Sequence, residues 1–326
     1  MSHAASPSTP QELTTRDVVR VPAVRNMLIY STALYTGLML QAAALGKQVY
    51  DMTGREIDIG LIGLLEFLPA AFLVLLTGMV ADRFQRKKVA MLGIVGELVS
   101  ALALMFYART NPTAVAPIFF ITFLYGVSRA FIAPAARSIW PMVAPPGGLP
   151  AVVALSSATW TGAAILGPAS SGLLYSVDPW VAYAVASGLI CIGLLSLMRV
   201  KTGQAATVEN RERPTLHDAL EGLRFIRRTP ILLAAISLDL FAVLFGGAIA
   251  LLPVIAEEHL HVGDVAYGWL RAAAGIGAAG VALFLAFHPV RRNIGRLLFF
   301  VVATFGVATV VLGELISVLS EKNLAA

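Results

Sequence analysis

The chain of 326 residues is 58% hydrophobic and only 13% charged, with a mean hydropathy of +0.79. Soluble domains carry roughly a quarter charged residues, so this composition excludes an ordinary soluble fold and points to a polytopic membrane protein. The formal net charge of +5 does not indicate nucleic-acid binding, because the basic residues fall in short gaps between apolar runs rather than on one face or in one tail.

Residues 1–25 are rich in Ser, Pro, Thr and charge and lack the basic start, apolar core and cleavage site of a secretory signal; they read as a mobile cytoplasmic tail. A helix needs about 20 mostly apolar residues to cross the hydrocarbon core. Nine runs meet that requirement, at 27–47, 59–81, 89–107, 113–136, 151–175, 181–198, 231–256, 267–287 and 297–319. Alternate gaps between them carry nearly all the Lys and Arg, whereas the opposite set holds only Lys47, Arg55 and Arg109 among its cations, with Asp51, Glu56, Asp58, Asp178, Glu257, Glu258 and Asp264. Cations in short loops are retained in the cytoplasm, so the N-terminus is expected inside. The longest polar gap, 199–230, divides six spans (26–198) from three (231–326). It is expected to hold a surface helix at 214–228, capped by Thr215 with Asp218 in its first turn and Leu216, Leu220 and Leu223 at helical spacing.

Between the second and third spans lies a block of mixed charge, Gly78-Met79-Val80-Ala81-Asp82-Arg83-Phe84-Gln85-Arg86-Lys87-Lys88, suited to a close, charge-latched turn. In the fifth span Gly162, Gly167 and Gly172 recur at near-helical spacing beside Pro168, which removes a backbone donor, so this helix can bend and approach a neighbour closely. Charges inside spans are costly and are therefore functional candidates. At ~1.5 Å rise per residue, Glu97 and Arg129 both lie roughly 12 Å from the cytoplasmic ends of the third and fourth spans, and Asp239 is about nine residues into the seventh. Glu97 or Asp239 is expected to carry a coupling proton, with Arg129 offsetting an acid's charge or touching substrate. A structural Glu97–Arg129 ion pair is the competing expectation. Glu66, nearer the outer side, and Arg271, near the outer end of the eighth span, are expected to reach water.

These residues resemble the major facilitator superfamily. Its loop pattern Gly-x-x-x-Asp-Arg-x-Gly-Arg-Arg/Lys is matched by Gly78, Asp82, Arg83, Arg86 and Lys87, with Gln85 at the second glycine. Gly167-Pro168-Ala169-Ser170-Ser171-Gly172 is similar to the antiporter signature Gly-Pro-x-x-Gly-Gly, with Ser171 at one glycine. Longer stretches, including Gln48–Gly54, Leu61–Pro69 and Ser237–Gly247, resemble the enterobactin-exporter-like branch. The resemblance implies an all-α major facilitator fold in the cell (inner) membrane, with a six-helix N-terminal bundle and three helices of a second bundle. Since that family has twelve helices, it also implies a chain ending after the ninth span.

The implied activity is proton-coupled efflux of small amphipathic or siderophore-like molecules by alternating access. Asp82, Arg83, Arg86 and Lys87 would gate the inner side and contact lipid headgroups. Phe67, Phe119, Phe120, Phe123, Tyr125, Trp140 and Trp160 are candidates for an apolar cavity wall. Partners are then a small-molecule substrate, protons and membrane lipids, with a monomer favoured and no nucleic acid or cofactor. The alternatives are an uptake permease of the same fold, or a transport-incompetent fragment or partner protein. An ATP-driven pump is disfavoured because no GxxxxGK[ST] phosphate loop occurs. Gly275-Ile276-Gly277-Ala278-Ala279-Gly280 fits the spacing of a dinucleotide fingerprint, yet its flanks read as membrane helix rather than strand, turn and helix. Lone Cys191 excludes an intrachain disulfide and a CxxC pair, and the five His lie in the tail, in loops or at span ends, so an enzyme is not expected.

Overall fold

Backbone amides inside hydrocarbon find no water to bond, so a chain this apolar must satisfy them within helices. The computed structural model describes residues 13–200, 224–245, 249–287 and 294–324, and among these it is helical without strands. One short turn, α1 (Thr15–Val19), precedes six long helices: α2 (Pro22–Thr53), α3 (Glu56–Arg83), α4 (Arg86–Ala108), α5 (Ala116–Val143), α6 (Leu149–Tyr175) and α7 (Pro179–Arg199). Three more follow, α8 (Pro230–Phe245), α9 (Asp264–Phe287) and α10 (Ile294–Leu324). Each of the nine expected spans has its helix among the described residues. Seven of them, all but α3 and α8, are long and apolar enough to cross a membrane by length and composition. The surface helix expected at 214–228 lies outside the described residues except for 224–228, which is helical.

Local chemistry sets the boundaries. Proline, whose missing N–H is harmless in a first turn, opens α2, α5, α6 and α7. Asp178 caps α7 by accepting from the Trp180 N–H at 3.2 Å. Gly54 ends α2 in the left-handed region at φ +60°, which carries this helix six residues past its expected end at Lys47. The seventh span does not run unbroken to Ala256. After α8 the chain re-forms as a short helix, Leu252–Val254, and a π-turn, Ile255–His259, because Pro253 is tolerated only in a first turn. The N-terminal segment is also less free than its composition suggests. Val18 is fully buried in the core and the Leu13 N–H reaches the Gly147 carbonyl, so the chain from Leu13 onward is docked.

Helices α2 to α7 pack around two stacked clusters. One, toward the end bearing Arg83–Lys88 (the basic end), gathers Met27, Tyr30, Leu34, Ile94, Ile139 and Ile190. The other, toward the acidic end, gathers Leu40, Leu45, Val49, Leu104, Ile118 and Tyr183. Antiparallel α2 and α7 meet where glycine permits: a Cβ on Gly37 would lie 3.0 Å from the Ala186 carbonyl oxygen, and one on Gly193 would lie 3.2 Å from Leu34 Cβ. Polar ties fasten the same pair at both ends, with Ser196 Oγ donating to Asn26 O at 2.8 Å and Tyr183 Oη to Gln48 Oε1 at 2.7 Å.

Candidate functional site

The glycines of the fifth span sit on α6, and the structure divides their duties. Five residues turn an α-helix by ~140° beyond a full turn, so Gly167 and Gly172 face different neighbours. A Cβ on Gly167 would lie 2.5 Å from Met39 Cβ and 3.0 Å from Leu40 N on α2. One on Gly172 would collide with the Asp264 carbonyl oxygen and lie 2.9 Å from Gly268 Cα on α9. Among the described residues a Cβ on Gly162 would meet nothing within 4 Å, so it takes no part in these close contacts. Pro168 cannot donate to the carbonyl of Ala164, and that carbonyl lies against Gly275 of α9, where an added Cβ would be 2.9 Å away. The would-be dinucleotide fingerprint therefore lies within α9, and its first glycine serves helix contact.

Helices α6 and α9 thus form an antiparallel seam of small residues running from the acidic end to the Ala164–Gly275 level. Toward the basic end both helices turn apolar residues outward: Leu149 and Val153 on α6, and Ile276, Val281 and Phe284 on α9 are exposed.

The acidic end of the seam carries charge from both sides. Lys47 of α2 has a side chain only 6% exposed and contacts Asp51 on its own helix, Glu257 in the π-turn, and Asp264 at the start of α9, the last at 3.3 Å. Tyr175 Oη of α6 donates to Asp51 Oδ2 at 2.7 Å, and its ring lies 5.7 Å from Lys47 Nζ. Tyr50 donates to Glu258. The sequence puts Lys47 and Asp51 at the gap after the first span, Tyr175 at the end of the fifth, and Glu257, Glu258 and Asp264 in the gap after the seventh. Its available signal was Lys47 among seven acids, but nothing in the spacing joined residues 210 apart in the chain.

Among the buried charges, Glu97 of α4 is fully buried and neither carboxyl oxygen has a hydrogen-bond partner among the described residues. Arg129 of α5 does not pair with it. Its guanidinium instead reaches Glu66 of α3, with Tyr125 Oη 3.2 Å away. The Glu97–Arg129 ion pair is therefore not formed, and Glu66, expected to reach water, is the partner. The reason is the close approach of α3 and α5, where a Cβ on Gly126 would lie 2.6 Å from the Glu66 carbonyl oxygen. Arg271 is partly buried and reaches back toward the acidic end of its helix. Its Nη1 lies 3.2 Å from Tyr267 Oη, which donates to the Ala43 carbonyl of α2, so this cation lies along the α2–α9 boundary. Asp239 stands within α8, and its side chain lies outside the described set.

At the basic end the charged block spans two helix termini. Helix α3 continues through Asp82 and Arg83, only Phe84 and Gln85 form the turn, and α4 begins at Arg86. The side chains of Asp82 and Arg83 lie outside the described residues. Gln85 has φ −60°, a conformation open to any residue, so the turn does not need a glycine there. Lys87 donates to the Met198 and Val200 carbonyls at 2.9 and 2.7 Å, satisfying the frayed C-terminus of α7. Of the candidate wall aromatics, Tyr125 and Trp140 are buried in the core, while Phe67, Phe120 and Trp160 are exposed. Trp160 stacks edge-on against Tyr35 of α2 at 5.1 Å.

Comparison with known proteins agrees with this architecture. The family described as transmembrane secretion effector matches residues 17–326. A macrolide efflux protein A of Streptococcus pyogenes is 25% identical over 239 residues, covering 71% of this chain and 58% of that one. The uncharacterized MFS-type transporter YfiS of Bacillus subtilis is 25% identical over 279 residues, covering 82% and 64%. A crystal structure of a bacterial homolog of the human lysosomal transporter Spinster, inward-facing and unoccupied, superposes with a TM-score of 0.64 at 15% identity, covering 79% of this chain and 60% of that one. The chain thus spans about three-fifths of the length of these proteins.

Proposed function

Because the chain belongs to the transmembrane secretion effector family of the major facilitator superfamily, we propose that it acts in proton-coupled export of amphipathic molecules, of macrolide or siderophore size, across the cell membrane by alternating access. Its basic end faces the cytoplasm and its acidic end faces out, as retention of cations requires. The observation that carries the coupling is Glu97. A carboxyl buried in a span with no hydrogen-bond partner among the described residues is a costly feature, and it suits a group that exchanges a proton as the protein changes state. Arg129, held by Glu66 beside Tyr125, and Asp239 of α8 are the further candidates for contact with cargo or proton. The seam of α6 and α9 closes these two helices at the acidic end, which fits a state shut on that side, and the export direction itself is taken from the macrolide efflux protein that the chain resembles.

At the inner side, Asp82, Arg83 and Arg86 are proposed to close the path when the outer side opens. Lys87 contributes by anchoring α7 to the start of α4. The test is reconstitution of the full chain into liposomes containing a pH-sensitive dye, followed by addition of a panel of macrolides and siderophores. Proton movement evoked by at least one compound, and abolished by Glu97→Gln, supports the reading. Substrate movement that is indifferent to the proton gradient would remove the coupling.

A further inference from the structure

We propose that Lys47 and the acids around it form an ionic latch on the acidic end, which holds α2 against the π-turn and α9 in the sealed state and releases them when that end opens. The inference rests on the alternating-access reading above but is read out independently of transport. Its first support is the distribution of partners across the seam. Lys47 and Asp51 belong to α2, whereas Glu257 and Asp264 come from the π-turn and from α9, so the cluster ties the two sides together at a point where the α6–α9 seam is also tight.

The second support is what each side keeps when the tie breaks. A buried ammonium stripped of all partners would make opening prohibitive. Lys47 would not be stripped, because Asp51 lies one turn along the same helix and is itself fixed by Tyr175 of α6, which packs on α2. The departing carboxylates are partly exposed already, Glu257 at 35% and Asp264 at 30%, so they pass into water on release. Both states therefore pair or solvate every charge, as a reversible clasp requires and a permanent strut does not.

The π-turn adds a second finger. It presents consecutive acids to different targets, Glu257 to Lys47 and Glu258 to Tyr50, so α2 is gripped at two points one turn apart. Such turns are enriched at functional sites.

The experiment uses the full chain with Cys191→Ala, in nanodiscs, carrying spin labels at Val177→Cys and His261→Cys, exposed positions on opposite sides of the seam at its acidic end. Lys47→Met is expected to lengthen the inter-label distance and to lower the ratio of sealed to open molecules on the order of tenfold or more. Glu257→Gln should do so in part, and Lys47→Arg should restore the sealed distribution. Should Lys47→Met fail to fold, Glu257→Gln and Asp264→Asn, both at partly exposed positions, carry the test together. An unchanged distance distribution in folded Lys47→Met, or in both carboxamide variants, overturns the latch. Loss of transport without a change in distance also overturns it. A changed distance in a chain that transports nothing upholds the latch and refutes only the export reading.

Discussion

Replacing Gly172 by alanine places one methyl group in the tightest part of the α6–α9 seam. The new Cβ falls 2.9 Å from Gly268 Cα, 3.0 Å from Gly268 N and nearer still to the Asp264 carbonyl oxygen. Carbon atoms in contact sit ~3.5–4.0 Å apart, so the two helices must separate by about 0.6 Å or more. All three obstructing atoms are backbone and none can rotate away. Overpacking of this kind costs about 1–3 kcal/mol. At ~1.4 kcal/mol per tenfold, the ratio of sealed to open molecules should fall about 5- to 150-fold. The spin-label pair Val177→Cys and His261→Cys reads that change, and a thermal melt reads the accompanying loss of stability. Gly162→Ala is the internal control, since its Cβ would meet nothing within 4 Å among the described residues and alanine favours helix by up to ~1 kcal/mol. If Gly172→Ala left both readouts unchanged, or if Gly162→Ala disturbed them equally, the division of labour among the α6 glycines would be wrong.

Gly167→Ala should lower thermal stability without biasing sealed against open, because Gly167 faces α2 within the first six long helices; a melt alongside the spin-label measurement distinguishes the two effects. Glu97→Gln removes a buried acid that has no hydrogen-bond partner among the described residues, at nearly constant volume, so stability should hold or rise while substrate-evoked proton movement is lost, as measured by chemical denaturation and by the vesicle dye. A double-mutant cycle with Arg129→Gln and Glu66→Gln should return a coupling of about 1 kcal/mol, modest because Arg129 is 38% exposed. Lys87→Met should free the last carbonyls of α7 and speed hydrogen exchange there, at a cost of about 1 kcal/mol, with no change in distance at the acidic end.

Among the described residues the order of the long helices was legible in the sequence because hydrocarbon imposes both length and apolarity on each span. Boundaries shifted where a single residue decided them, as at Gly54 and Pro253. The α6 signature announced close packing, yet not that Gly167 and Gly172 serve different helices; that follows from helical phase once the neighbours are known. Pairing of charges was the least legible layer. Depth along a span suggested Glu97 and Arg129 as partners, but which side chains meet depends on rotation about each helix axis, and that rotation is set by packing at Gly93, Gly96 and Gly126. The Lys47 cluster was hidden for a further reason. Its members look like ordinary loop charges until the fold brings the π-turn and the head of α9 over the end of α2.

Export from the cytoplasm requires the basic turn to lie inside the cell and the sealed, acidic end outside. Single cysteines at Phe84 and Val177, both exposed, can be probed in intact cells with a membrane-impermeant maleimide in the Cys191→Ala background. Val177→Cys should label from outside, and Phe84→Cys only after the membrane is permeabilised. The reverse pattern would place the seal on the cytoplasmic face and contradict export by this route.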